Sequence, residues 1–262
     1  MKKSLNRSRR KPLAATLVIA AGLLFSGGGY AVATNVVVTT AATEYTAEQI
    51  SEGRKLFLAN CSSCHGLNAE GSAAGPSMIG VGAASVDFQV GTGRMPGQGS
   101  GPQLPKKKVQ FTDDQILLMA AYVASLAPGP AMPDPKYLEA TGDVAHGGEL
   151  FRINCAMCHN AVGAGGALTE GKYAPVLNNI EAKHVYQAMV IGPQNMPVFN
   201  DSNLTPEDKQ DIITYLAYID NNPSAGGFEL GSLGPVAEGL FVWIFGLGGI
   251  IAITVWFGAR SN

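Results

Sequence analysis

The stretch NCSSCHG, residues 60–66, recurs 94 positions later as NCAMCHN, residues 154–160, and the two copies contain all four cysteines of the chain. Cys-x-x-Cys-His is the spacing that covalent haem attachment requires: two thiols three positions apart reach the two vinyl groups, and the adjacent histidine supplies an iron ligand. Cys61, Cys64 and His65 form one such set, and Cys155, Cys158 and His159 the other, so two covalently bound haem c groups are expected. A structural zinc site would not need a histidine directly after each cysteine pair. A disulfide within either pair would close a strained loop of a few residues and stabilise little.

The surroundings repeat as well. At an offset of 94, Gly53, Leu56, Phe57 and Asn60 recur as Gly147, Leu150, Phe151 and Asn154. At an offset of 101, Gly91, Met95 and Pro96 recur as Gly192, Met196 and Pro197, and at 93, Thr112 and Tyr122 recur as Thr205 and Tyr215. Matched blocks in one order mean two domains of one kind, 47–127 and 144–222, with insertions confined to loops. Each reads as a short helix with an inward Leu-Phe pair, the attachment site, a glycine-rich loop and a closing helix. Thr112 with Gln115 fits a capping box, and Thr205 before Pro206 fits an N-cap followed by proline. Ile116, Met119, Ala120 and Val123 share one face of the first closing helix, as do Ile212, Tyr215, Leu216 and Ile219 of the second. Between the domains, the linker 128–143 contains PGPAMPDPK, residues 128–136, which predicts a stiff, extended spacer.

His65 and His159 take one axial position of each iron, and the second ligand decides the chemistry. An open position binds oxygen or peroxide, whereas a thioether closes it, raises the reduction potential and leaves an electron carrier. Met95 and Met196 stand before proline at matched places of the repeat and are the expected ligands. Rivals are Met78 in the first domain, and Met189 or His184 in the second, where His184 would make a bis-histidine iron of lower potential. Pro76 and Pro175 follow the attachment sites, where a backbone carbonyl could orient each haem histidine.

Residues 13–33 carry no charge and follow a tail, 1–12, holding six cations. This is the pattern of an export signal, and its 21 residues also suffice for a retained membrane anchor, the preferred reading. Residues 34–46 read as a linker. After a second linker, 223–234, the segment 235–258 contains 19 uncharged residues, Gly239–Phe257, with Trp243 and Trp256 near their ends, as a membrane-spanning helix does. Residues 34–234 hold 19 acidic and 11 basic side chains. That balance orients the chain with its haem domains on the extracytoplasmic side of the cell membrane. It also argues against nucleic acid as a partner, because no basic stripe exists beyond the tail and Lys106-Lys107-Lys108.

Each half resembles a class I cytochrome c: helix, Cys-x-x-Cys-His, proline loop, Met-Pro, helix. The expected fold is therefore mainly α, with two tandem class I cytochrome c domains, an N-terminal hydrophobic signal or anchor helix and a C-terminal transmembrane helix. Two such domains between apolar ends resemble the dihaem cytochrome cc subunit of the actinobacterial cytochrome bc complex, a menaquinol:cytochrome c reductase. That resemblance implies an electron-transfer subunit without independent substrate chemistry. It would associate with the cytochrome b subunit, accept electrons from the Rieske iron-sulfur subunit and pass them to the dinuclear copper of a haem-copper cytochrome c oxidase. The competing readings are a membrane-anchored dihaem cytochrome serving a dehydrogenase or another oxidase, and a dihaem peroxidase.

Overall fold

The computed structural model describes residues 12–37, 45–99, 101–222, 230 and 235–260, and the chain divides into two compact units, Met1–Glu44 and Tyr45–Asn262. In the first unit, helix α1 spans Pro12–Val37. It runs four residues past the expected end of the apolar segment, so the predicted 34–46 linker starts as helix. At about 1.5 Å per residue, its 26 residues reach roughly 39 Å. The basic tail before Pro12 lies outside the described residues.

In the second unit, α2 (Ala47–Asn60) and α5 (Asp113–Leu126) cross to build the first domain. Complete capping boxes start both helices, Thr46 with Gln49 and Thr112 with Gln115, and satisfy amide groups that a helix start leaves open. Gly53 makes the crossing possible, since a Cβ there would overlap the carbonyl of Leu118. The second domain repeats the device. Here α6 (Val144–Asn154) crosses α9 (Pro206–Asn221), and a Cβ on Gly147 would overlap the carbonyl of Asp211. The glycine shared by both repeats is thus the contact point of the helix pair.

Beside each crossing the Leu-Phe pair turns inward. Phe57 packs on Tyr122 with ring centroids 5.2 Å apart, among Ile116, Met119 and Val123. Phe151 packs on Tyr215 at 5.4 Å, among Ile212, Leu216 and Met189. Each fully buried ring contributes roughly 1.5–3 kcal/mol. A shorter helix completes each domain, α4 (Gly82–Gly91) in the first and α8 (Ala182–Ile191) in the second.

These two helices also join the halves. Asp87 on α4 is buried and accepts a hydrogen bond from Nε2 of Gln187 on α8 at 2.7 Å, while Nζ of Lys183 lies 3.1 Å from the same carboxylate. The proline-rich segment is therefore not a free spacer. Its first part lies along the first domain, where the carbonyl of Pro130 accepts from the Ala84 amide and Met132 borders the core. Its last part belongs to the second domain: a 3-10 turn at Pro135–Tyr137 places Tyr137 against Tyr186. Apolar residues within the segment find a core on either side, which an extended spacer would leave in water.

At the C-terminal end, α10 (Pro235–Phe241), a π-helical turn (Val242–Leu247) and α11 (Gly248–Arg260) follow one another. Ala237–Arg260, with mean hydropathy 2.2 and its large side chains exposed, is long and apolar enough to cross a membrane. The helix reaches two residues beyond the predicted segment, and the Arg260 guanidinium rests 4.4 Å from the Trp256 ring centroid.

Candidate haem-binding sites

Each Cys-x-x-Cys-His set forms a single helical turn, α3 (Ser62–His65) and α7 (Ala156–His159). The amides of Cys64 and His65 both donate to the carbonyl of Cys61, at 3.1 and 3.0 Å, and those of Cys158 and His159 to Cys155, at 3.1 and 2.9 Å. A turn of this kind sets side chains three apart on one face. All four thiols are free. Burial first, and then the neighbouring thiol, pushes the pKa values of Cys61 and Cys155 up to about 11.

The histidines are buried and oriented. Nδ1 of His65 lies 2.7 Å from the carbonyl oxygen of Pro76, and Nδ1 of His159 lies 2.9 Å from that of Pro175. A carbonyl can only accept, so the proton sits on Nδ1 and the lone pair of Nε2 stays free for a metal. Burial lowers the pKa of His159, against a smaller opposing effect of the Pro175 bond, and so favours the neutral ring that a metal needs. Gly75 passes so close to the first site that a Cβ would lie 2.9 Å from the Cys64 carbonyl oxygen and 3.2 Å from Cε1 of His65. Paired free thiols, a neutral histidine with an available nitrogen and a tight glycine approach fit a covalently held haem.

The loop between histidine and proline is five residues longer in the second domain, and the added length forms a small antiparallel hairpin, β1 (Gly166–Ala167) with β2 (Tyr173–Ala174). Sequence periodicity does not reveal this hairpin because its strands are two residues each.

Met95 borders the first core together with Cys61, and Met196 borders the second, of which Cys155 is a buried member. Their amides bond locally, Met95 to the carbonyl of Gln89 and Met196 to that of Pro193. Of the rivals, Met78 packs at the margin of the first core, and Met189 is enclosed in the second at 2% exposure. His184 is turned toward the other domain: its ring meets Phe88 edge-on at 6.1 Å, and a Cβ on Gly91 would lie 3.1 Å from its Nε2. Its place on α8 was legible in the sequence, but the direction of its ring was not.

Residues 50–127 match the cytochrome c family, and residues 142–216 match the family described as cytochrome C oxidase, cbb3-type, subunit III. The chain is 43% identical over 280 residues to the cytochrome bc1 complex cytochrome c subunit of Corynebacterium efficiens, covering 99% of this chain and 94% of that one. To the subunit of the same name from Mycobacterium tuberculosis it is 41% identical over 262 residues, covering 97% and 94%. Among solved structures, reduced recombinant cytochrome c4 from Pseudomonas stutzeri matches at 21% identity with a TM-score of 0.23, covering 65% of this chain and 97% of that chain.

Proposed function

Because the chain belongs to the family of cytochrome bc1 complex cytochrome c subunits, a redox component of a reductase carrying covalent haem c, we propose that it is a membrane-anchored dihaem relay that takes electrons from the Rieske protein of its complex and passes them to a haem-copper oxidase. The single observation that carries the reading is the duplicated site: a Cys-x-x-Cys-His turn whose histidine is held by a proline carbonyl, with a methionine loop at the margin of the same core.

In this reading Cys61 and Cys64 hold one haem and Cys155 and Cys158 the other. Nε2 of His65 and His159 and the thioethers of Met95 and Met196 would bind the irons. The bound haem supplies reversible one-electron chemistry at iron, with no bond made or broken in a substrate. The chain's part is to hold both axial positions closed, exclude water and keep the two domains adjacent. Thiols with pKa near 11 are poor nucleophiles at neutral pH, which suits attachment before the domains close.

Helices at both ends of the chain would fix it to the cell membrane, with the haem domains on the extracytoplasmic side. Anchoring replaces a diffusing carrier by a tethered one at high effective concentration. Residues 134–229 carry 12 acidic and 5 basic side chains, a balance suited to docking on a basic face of the oxidase.

Purification in mild detergent tests the reading. Cytochrome b, Rieske and oxidase subunits recovered together with two haems per chain support it. Recovery with a dehydrogenase, or binding of carbon monoxide at both irons of the native protein, overturns it.

A further inference from the structure

The side chain of Lys209, on α9, is completely enclosed in the second domain. Its ammonium group donates to Oδ1 of Asp201 at 2.8 Å and to the carbonyl of Leu204 at 2.5 Å, and stands 5.7 Å from the ring centroid of the buried Tyr186 on α8. A charge is costly to remove from water, and an apolar side chain of similar volume in its place is often neutral or stabilising. Stability alone therefore does not account for a lysine here.

The first domain carries the apolar alternative. Its capping box at Thr112 and the one at Thr205 bring the two closing helices into register, and Lys209 then corresponds to Ile116, which is buried in the first core. What differs is the segment between the methionine and that cap. In the first domain it is longer and holds itself: Nζ of Lys107 donates to the carbonyl of Pro96, the residue beside Met95. In the second domain the shorter segment, 197–204, contains no lysine, and it is tied to the helices on either side. The Phe199 amide donates to the carbonyl of Met189 on α8 at 2.7 Å, and Lys209 grips Asp201 and Leu204 from α9. Leu204 and Tyr186 belong to the core against which Met196 packs.

With Met196 as the proposed ligand of the second iron, a reading on which this inference rests, we propose that Lys209 is its positioning residue. Lys209 braces segment 197–204 between α8 and α9 and so keeps the Met196 thioether at the closed axial position. A ligand on an unbraced loop spends part of its time off the metal, and the outer partners that orient it set how firmly it is held. Ile116 has no such task, because Lys107 braces the first loop from within.

The experiment compares Lys209→Ile, which copies the first domain, and Lys209→Met, which keeps an unbranched chain, with Met196→Ala in the full-length haem-loaded protein. Covalent haem in the denatured chain and circular dichroism establish that each variant is loaded and folded. The readouts are carbon monoxide titration of the reduced protein, the long-wavelength charge-transfer band of thioether-bound ferric iron, and the two midpoint potentials. Both lysine variants should gain carbon monoxide binding at one haem per chain, weaken the band, and lower the same potential that Met196→Ala lowers while the other stays in place. Folded lysine variants with unchanged band and no gain in carbon monoxide binding, beside a Met196→Ala variant that opens its iron, would overturn the proposal. So would a lowered potential without carbon monoxide binding, which is the effect of a lost charge and not of a loosened ligand. Loss of the fold in both lysine variants would also overturn it, since an apolar side chain packs at the matching position of the first domain. Met196→Ala without effect on any readout would instead defeat the ligand reading beneath it.

Discussion

Gln103 and Tyr173 meet across 70 residues of sequence: Nε2 of Gln103 donates to the Tyr173 carbonyl at 2.9 Å, and the Tyr173 amide donates to Oε1 of Gln103 at 2.8 Å. Both residues lie in segments that break the repeat. Tyr173 belongs to the hairpin inserted in the second domain, and Gln103 to the loop after Met95, which is eight residues longer in the first domain than its counterpart after Met196. Beside them the Leu104 amide donates to Oε1 of Gln194 at 3.3 Å. The unequal loops thus add a second tie between the halves to the one that α4 and α8 make. Gln103→Ala should cost about 1 kcal/mol, raise hydrogen exchange at the Tyr173 amide and leave haem content unchanged.

The buried Asp87–Gln187 pair is the stronger tie. Removing one partner leaves a desolvated polar group behind, so Asp87→Ala should destabilise by about 3 kcal/mol. Thermal unfolding measures that loss. Small-angle scattering of the soluble haem region within the detergent-solubilised protein should show the domains further apart, whereas an unaltered separation would mean that the loop contacts alone suffice.

Gly53 and Gly147 sit where two helices touch through backbone. Alanine at either position forces the crossing apart, at a cost of about 1–3 kcal/mol or more. Gly147→Ala should reduce haem retained at Cys155 and Cys158 while the first site stays loaded, as peptide mapping of covalent haem would measure.

Met196→His should lower the potential of the second haem markedly with attachment intact, because imidazole stabilises ferric iron relative to a thioether. Met196→Ala should open that iron to carbon monoxide. An unchanged potential in the histidine variant would reassign the ligand, with the enclosed Met189 next in line.

His146 on α6 places Nδ1 2.8 Å from Oδ2 of Asp211 and 3.9 Å from Oδ1 of Asp208. The hydrogen bond to Asp211 and the surrounding charges of Asp211, Asp208 and Asp143 raise its pKa above the ordinary value near 6.5. A pKa raised on folding stabilises most fully below the unfolded value and is lost as pH rises through the folded one. The second domain should therefore lose stability as pH is raised above about 6.5, and His146→Gln should flatten that part of the profile. Denaturant midpoints measured across this range check the sign.

The Cys-x-x-Cys-His turns, the duplication and the terminal apolar segments were legible because each depends on residues close in sequence. A Cys-x-x-Cys-His turn closes within five residues, a capping box within four, and an apolar stretch announces itself by length. The shared glycine was visible as a repeat, but its purpose was not, since only the crossing of α2 with α5 and of α6 with α9 shows the backbone it must clear.

By itself, then, the sequence determined a chain with two Cys-x-x-Cys-His turns between apolar ends, because motif spacing and hydrophobic length are local properties. Tertiary structure decided that the proline-rich segment is shared between two cores, that unequal loops grip each other, and that His184 faces the neighbouring domain. Those outcomes depend on contacts between residues 46 to 100 positions apart, whose register is set by how folded elements pack and by no periodicity within any of them.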